Sequence, residues 1–177
     1  MFLYLAMIDS DADKSKFEIL YSEYKNLMYY TANRILRNSR DAEDVVHQAF
    51  LKVIEILDTI SSPRCHKTRA LLVTITEHKA IDLYREKQRR NVLPLAEEYV
   101  GAAPAAEIER LAERDTLAAA IAALPPRYRS VLLLRYDCGY SNAEIANILD
   151  TTEPNVRKLI QRAKEKLSAA LSGMEEP

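Results

Sequence analysis

Tryptophan is absent from this chain of 177 residues, and there are only 3 glycines and 2 cysteines. Few glycines beside abundant Ala, Leu, Ile, Glu, Lys and Arg favour helix over sheet, because those side chains lose little rotamer freedom in a helix. No glycine-rich phosphate loop, no paired carboxylates beside a histidine and no metal-ligand spacing occur, so neither an enzyme nor a cofactor is expected. His47, His66 and His78 read as structural or surface residues. Cys65 and Cys138 stand far apart, which suits neither a disulfide framework nor a CxxC metal site; they read as buried free thiols. Long apolar runs are missing too. The opening Met1–Ile8 has no basic region and runs at once into Asp9, Asp11 and Asp13, too short and wrongly flanked for a signal peptide or a membrane span. A cytoplasmic chain without membrane insertion is expected.

What is present is enough apolar material for a core, 48% of residues, and a formal net charge of -1. From Lys16 to about Arg90 the apolar residues recur at helical spacing. One stripe is Ala42, Val45, Val46, Ala49, Phe50, Val53, Ile56 and Leu57, with Asp41 as its expected N-cap. Asp44, His47, Gln48 and Lys52 fall towards its other side. A second stripe runs Leu71, Leu72, Ile75, Ala80, Ile81 and Tyr84, and Ser61-Ser62-Pro63 breaks the chain between the two. Pro94 to Pro104 loses the periodicity, and Glu97 to Asp115 carries six acidic residues against Arg110 and Arg114. A second helical block runs from about Ile108 to Leu171, with Leu124-Pro125-Pro126 opening a helix inside it. The expected architecture is all-α: two small helical domains, 16–93 and 109–172, joined by a linker over 94–108.

The near-neutral total hides two basic ends. Lys79, Arg85, Lys87, Arg89 and Arg90 face only Asp82 and Glu86 in one segment; Arg157, Lys158, Arg162, Lys164 and Lys166 face only Glu165 in the other. Such clusters attract phosphate backbones, although most charge runs are solvated helix faces.

The second cluster belongs to a more specific pattern. Tyr140 to Ile160 reads as two short helices and a tight turn. Ser141 and Glu144 form a capping box; Ile145, Ala146 and Leu149 supply the buried face; Asp150-Thr151 turns the chain. Thr152 caps the second helix and Pro154 stands in its first turn. Val156, Leu159 and Ile160 then point inward and Arg157, Lys158, Gln161 and Arg162 outward, as a recognition helix in a major groove requires. An ordinary helical hairpin is the alternative, which the small Ala146 at the crossing and the basic outer face disfavour.

Together the blocks resemble a known family. Asp41-Ala-Glu-Asp-Val-Val-His-Gln-Ala-Phe-Leu-Lys-Val53 resembles the core-polymerase-binding helix of bacterial RNA polymerase sigma factors. Ile75-Thr-Glu-His-Lys-Ala-Ile-Asp-Leu-Tyr-Arg85 resembles their helix that reads the minus-ten promoter element. Ala123 to Tyr136, the helix-turn-helix and Arg162-Ala-Lys-Glu-Lys-Leu167 resemble the domain that reads the minus-thirty-five element. The resemblance is to the small, two-domain, extracytoplasmic-function type and covers roughly Lys16 to Leu171. Leu71 stands where such proteins often carry Trp, His78 where Asn is common, and Leu159 where Arg is frequent. The first reads as a core substitution; the others bear on promoter sequence.

This resemblance implies a sigma factor that binds core RNA polymerase and directs promoter recognition, for a stress or environmental regulon. It implies docking on the clamp of the polymerase large subunit through Asp44, Val45, Gln48 and Lys52. The Ser61–Lys67 loop would help hold a base flipped from the melted strand. Minus-ten contacts fall to Lys79, Tyr84, Arg85, Gln88 and Arg89, with Tyr84 reading equally as a core residue. The minus-thirty-five set is Arg129, Ser141, Asn142, Asn155, Arg157, Lys158, Gln161 and Arg162; of these Arg129, Ser141 and Asn142 suit phosphates. An anti-sigma factor is a further expected partner. The rival is a dimeric helix-turn-helix regulator acting without polymerase, which would leave the basic helix of the first block idle.

Overall fold

The computed structural model describes residues 2–90 and 116–172. The chain divides into two units, Met1–Pro94 and Leu95–Pro177. The expected linker over 94–108 and the acidic stretch to Asp115 lie outside the described residues. No strand occurs among the described residues.

The first unit begins with one helical turn, α1 (Phe2–Leu5), followed by the long α2 (Asp11–Leu36), α3 (Ser39–Glu55), a 3-10 turn (Leu57–Thr59) and α4 (His66–Arg90). The helical region therefore starts before Lys16. Ser10 caps α2 by accepting from the Asp13 amide, and Asp11 and Asp13 place negative charge at the positive end of the helix dipole. The cap of α3 also differs from expectation. Asn38, not Asp41, is the N-cap, and its side chain accepts from the Asp41 amide at 3.1 Å. Either residue type can do this; the chain enters three residues earlier because α2 ends abruptly at Arg37. Arg37 adopts a left-handed conformation with φ 50 and donates its amide to the Asn33 carbonyl. That slot favours glycine, and a side chain there costs roughly 1–2 kcal/mol.

Helices α2, α3 and α4 pack on one another around Phe17, Leu20, Met28, Phe50, Leu71 and Ile75, all fully or almost fully buried. Leu71 is a core residue, as expected of a leucine in a tryptophan's place. The opening segment joins this core as well. Tyr4 is only 8% exposed, with its ring 5.4 Å from that of Phe17 and 6.0 Å from that of Phe50. Its hydroxyl lies 2.6 Å from His47 Nδ1, and burial, with a smaller contribution from Tyr21, raises its pKa.

The second unit contains α5 (Thr116–Ala123), α6 (Pro126–Leu132), a π-helical turn (Leu133–Asp137), α7 (Asn142–Ile148) and α8 (Glu153–Ser172). Pro126 opens α6 at its first position, where the missing amide hydrogen loses no bond. Helices α5, α6 and α7 all pack against α8, through Val131, Leu134, Ile145, Val156 and Ala163, each 0% exposed. Gly139, at φ 82, supplies the left-handed step between the π-helical turn and α7.

Candidate nucleic-acid interface

The capping box of the second unit forms as expected. Glu144 N–H donates to Ser141 Oγ at 3.2 Å, and Ser141 N–H donates to Glu144 Oε2 at 2.7 Å. Those bonds to Ser141 hold the Glu144 carboxyl below its usual range. Ile145, Ala146 and Leu149 are buried. Asp150 turns the chain with φ 48, and the Thr151 amide bonds to the Ala146 carbonyl. Helix α8 then runs away with Val156, Leu159 and Ala163 buried and Arg157, Lys158, Gln161 and Arg162 exposed. Ile160, expected inside, is half-buried. Leu159 is 5% exposed, so the residue standing where an Arg is frequent faces the core.

Two of the outward donors carry local partners. Arg157 pairs with Glu153 at 2.6 Å and Gln161 donates to Glu165 at 3.1 Å, each one turn away. Exposed pairs of this kind are worth only a few tenths of a kcal/mol, about 0.3–0.5, so a DNA ligand can replace them. Asn155 donates to Thr151 Oγ1 at 2.8 Å, which ties the first turn of α8 to the turn before it. Asn142 is half-buried, and its Oδ1 is enclosed without a hydrogen-bond partner.

Arg129 corrects the expectation of a phosphate contact. It is 1% exposed, and its Nη1 donates to the carbonyls of Ala122 at 3.1 Å and Leu124 at 3.5 Å. Those carbonyls belong to the end of α5, where no further turn exists to accept from. The guanidinium caps that end and complements its dipole. Arg129 is a structural residue.

In the first unit, α4 carries the expected minus-ten residues on its C-terminal half. Arg85, Gln88 and Arg89 are exposed; Lys79 and Tyr84 are half-buried. Gln88 Nε2 donates to Tyr84 Oη at 3.0 Å, so the phenol reaches the same edge as the exposed amide. Glu77 is buried and faces Arg34 of α2 at 3.8 Å. Lys87 forms an ion pair with Asp41 at the start of α3, and Arg90 pairs with Glu86. The charge counted along the sequence is thus partly used inside the fold.

The loop before α4 is built rather than loose. Tyr24 donates to the Pro63 carbonyl at 2.9 Å, Arg64 pairs with Glu23 at 3.0 Å, and Thr68 Oγ1 donates to the Ser62 carbonyl at 2.7 Å. Cys65 lies just before α4, half-buried instead of buried, and its Sγ accepts from the Thr68 amide at 3.4 Å. Hydrogen bonds from Thr68 lower its thiol pKa. Cys138 is half-buried as well.

The expected docking residues of α3 divide. Asp44 and Gln48 are exposed, with His47 beside them. Val45 is 0% exposed and Lys52 only 5%, so neither presents a side chain for docking. The reason is helical phase: positions 45, 49 and 52 recur at i, i+4 and i+7 and share one inward stripe. The Lys52 stem is packed along it while its ammonium reaches Glu55 at 2.9 Å.

Two units that are helical across their described residues, one closing on a helix-turn-helix with a cationic outer row and the other on a helix with a basic end, have the features of a DNA-binding protein. The chain matches the family description "Sigma-70 region 2" over residues 20–90 and "Sigma-70, region 4" over 114–167. It is 28% identical over 171 residues to the ECF RNA polymerase sigma factor SigW of Bacillus subtilis, covering 90% of each chain. It is 26% identical over 162 residues to the ECF sigma factor SigL of Mycobacterium tuberculosis, covering 90% of this chain and 91% of that one. A solved structure of the sigma factor RpoE with the anti-sigma factor NepR, from Bartonella quintana, aligns over 92% of this chain and 97% of that one at 18% identity and a TM-score of 0.44. The chain belongs to the sigma-70 family, in its extracytoplasmic-function group. It is a sigma factor that binds core RNA polymerase and directs promoter recognition and transcription initiation.

Among the described residues no helix is long and apolar enough to cross a membrane.

Proposed function

We propose that the two units divide this work, with 109–172 reading the minus-thirty-five element and 16–93 carrying the polymerase docking face and the minus-ten contacts. The observation that carries the reading is the row Arg157, Lys158, Gln161 and Arg162, exposed on α8 above a buried Val156, Leu159 and Ala163. Long donors on a rigid outward face can reach base edges in a major groove. Ser141 at the start of α7 suits a phosphate, which positions the unit without reading sequence; Asn142 beside it and Asn155 in the first turn of α8 are secondary contacts. In the first unit Lys79, Tyr84, Arg85, Gln88 and Arg89 take the minus-ten strand. The pinned 61–67 loop helps hold an extracted base, whose unstacking costs roughly a few kcal/mol. Asp44 and Gln48 dock on the clamp of the polymerase large subunit.

In this reading the protein acts in the cytoplasm as an initiation factor without a catalytic step of its own. It serves a stress or environmental regulon, and an anti-sigma protein masks these faces until the signal arrives. Run-off transcription with core polymerase on genomic fragments tests the assignment. Specific transcripts are expected only when the chain is added, together with weak binding of promoter duplex by the chain alone. Tight sequence-specific binding by the purified chain at physiological salt would overturn it.

A further inference from the structure

The basic end of α4 has neighbours that the linear charge pattern does not show. The ion pairs Lys87–Asp41 and Arg34–Glu77 tie the start of α3 to the C-terminal end of α4 and the last turn of α2 to its middle. The turn between α2 and α3 carries Arg37 and Arg40. Both are exposed, and neither is ion-paired among the described residues. The acids around them are partly engaged: Asp41 by Lys87, Glu77 by Arg34 and Glu86 by Arg90. Glu43, Asp44 and Asp82 stay exposed. Arg37 also holds a left-handed backbone, φ 50, at a helix end where glycine fits without strain. Backbone strain of this kind is concentrated at functional sites, although Asp150 shares it at an ordinary turn.

We propose that Arg37 and Arg40 are contacts to the phosphate backbone of promoter DNA, extending the basic end of α4 onto a second element. The inference rests on the reading that α4 faces the minus-ten region. Guanidinium groups are suited to this, since their planar fork meets phosphate oxygens in pairs. The Lys87–Asp41 pair then has a positioning role: it fixes the turn beside α4, so that cations from two helices meet one backbone. Phosphate contacts carry no sequence information, so these residues set affinity rather than promoter choice.

The test uses the full chain with core polymerase and compares Arg37→Gly combined with Arg40→Ala against Arg85→Ala combined with Arg89→Ala. Promoter-complex formation is measured across salt concentrations on several promoters, alongside core affinity and melting temperature. The first pair of substitutions is expected to weaken all promoters by one common factor. It should make the dependence of log affinity on log salt shallower by about two, one for each lost phosphate contact. Core affinity should not change, and the melting temperature should hold or rise, because glycine relieves the strain at position 37. If the slope is unchanged while the Arg85/Arg89 variant lowers it, the inference fails and the minus-ten reading stands. If neither variant moves the slope, the minus-ten reading fails and the inference with it. A loss of core affinity at unchanged slope makes the turn a polymerase contact and overturns the inference.

Discussion

The two units handle charge in different ways. In the first, cations and carboxylates pair between helices: Arg34 with Glu77 from α2 to α4, and Lys87 with Asp41 from α4 to α3. In the second, the outer row of α8 pairs within its own helix among the described residues, as Arg157 does with Glu153. The buried guanidinium of Arg129 bonds to carbonyls at a helix end instead. Charge in the first unit is therefore coupled to helix packing, whereas the outer row of α8 can be altered without touching the core. Fold and surface charge are separable along α8 and coupled at the Lys87–Asp41 and Arg34–Glu77 pairs of the first unit.

The largest effect that can probe this comparison lies in the first core. Phe50→Ala removes the ring that packs against Tyr4, Phe17 and Tyr21, and should lower stability by about 3–5 kcal/mol in chemical denaturation. In the second unit Arg129→Ala should cost about 3 kcal/mol, from lost charged hydrogen bonds and a cavity, and should be read by thermal melting followed by circular dichroism. A normal melting curve with a loss of DNA affinity would return Arg129 to the interface.

Arg157→Ala and Lys158→Ala form the counterpart. Each should leave melting unchanged yet shift the preferred minus-thirty-five sequence, by about 1–3 kcal/mol for a good base contact, in a promoter-library transcription assay. One common reduction at every promoter would show that α8 does not read sequence. Asp44→Ala combined with Gln48→Ala should weaken core association while helicity stays intact, because both side chains lie off the buried stripe. Unfolding in that double variant would place α3 the wrong way round.

The smallest effect concerns the capping box. Ser141→Ala should destabilise the second unit by about 1 kcal/mol. Its partner Glu144 has a folded-state pKa below the unfolded value, so its contribution is full above the ordinary carboxylate range and fades as pH falls through the lowered folded value. A melting-temperature profile against pH should therefore show a slightly larger acid-side drop in the parent chain than in Glu144→Gln.

Most of the helix-turn-helix was legible before any coordinates, because its determinants are local. A capping box spans four residues, a buried row repeats every three or four, and a proline opens a helix wherever it stands in the first turn. The same locality made Asp44 and Gln48 readable as surface residues. It failed for Lys52 and Val45, where sorting by polarity put Lys52 outside although helical phase puts both on the inward stripe. It failed for Arg129 because a cation near a helix start looks the same whether it faces phosphate or the carbonyl end of the preceding helix. Arg37 and Arg40 stand about 45 positions from the basic end of α4, so no local pattern connects them with it.

Periodicity, capping and composition by themselves determined that this protein is helical, that the chain breaks at Ser61-Ser62-Pro63 and reopens a helix at Pro126, and that its second half ends on a helix with a cationic outer row. Those properties depend on neighbours within one or two turns. The tertiary structure alone decided which charged groups remain available. Tyr4 enters a core built mostly from residues beyond Lys16, Arg129 turns inward to the end of α5, and Lys87 is engaged by Asp41, 46 positions away. Whether a charge faces water, a carbonyl or an opposite charge depends on which helix packs beside it, and the order of residues along one helix holds no record of that.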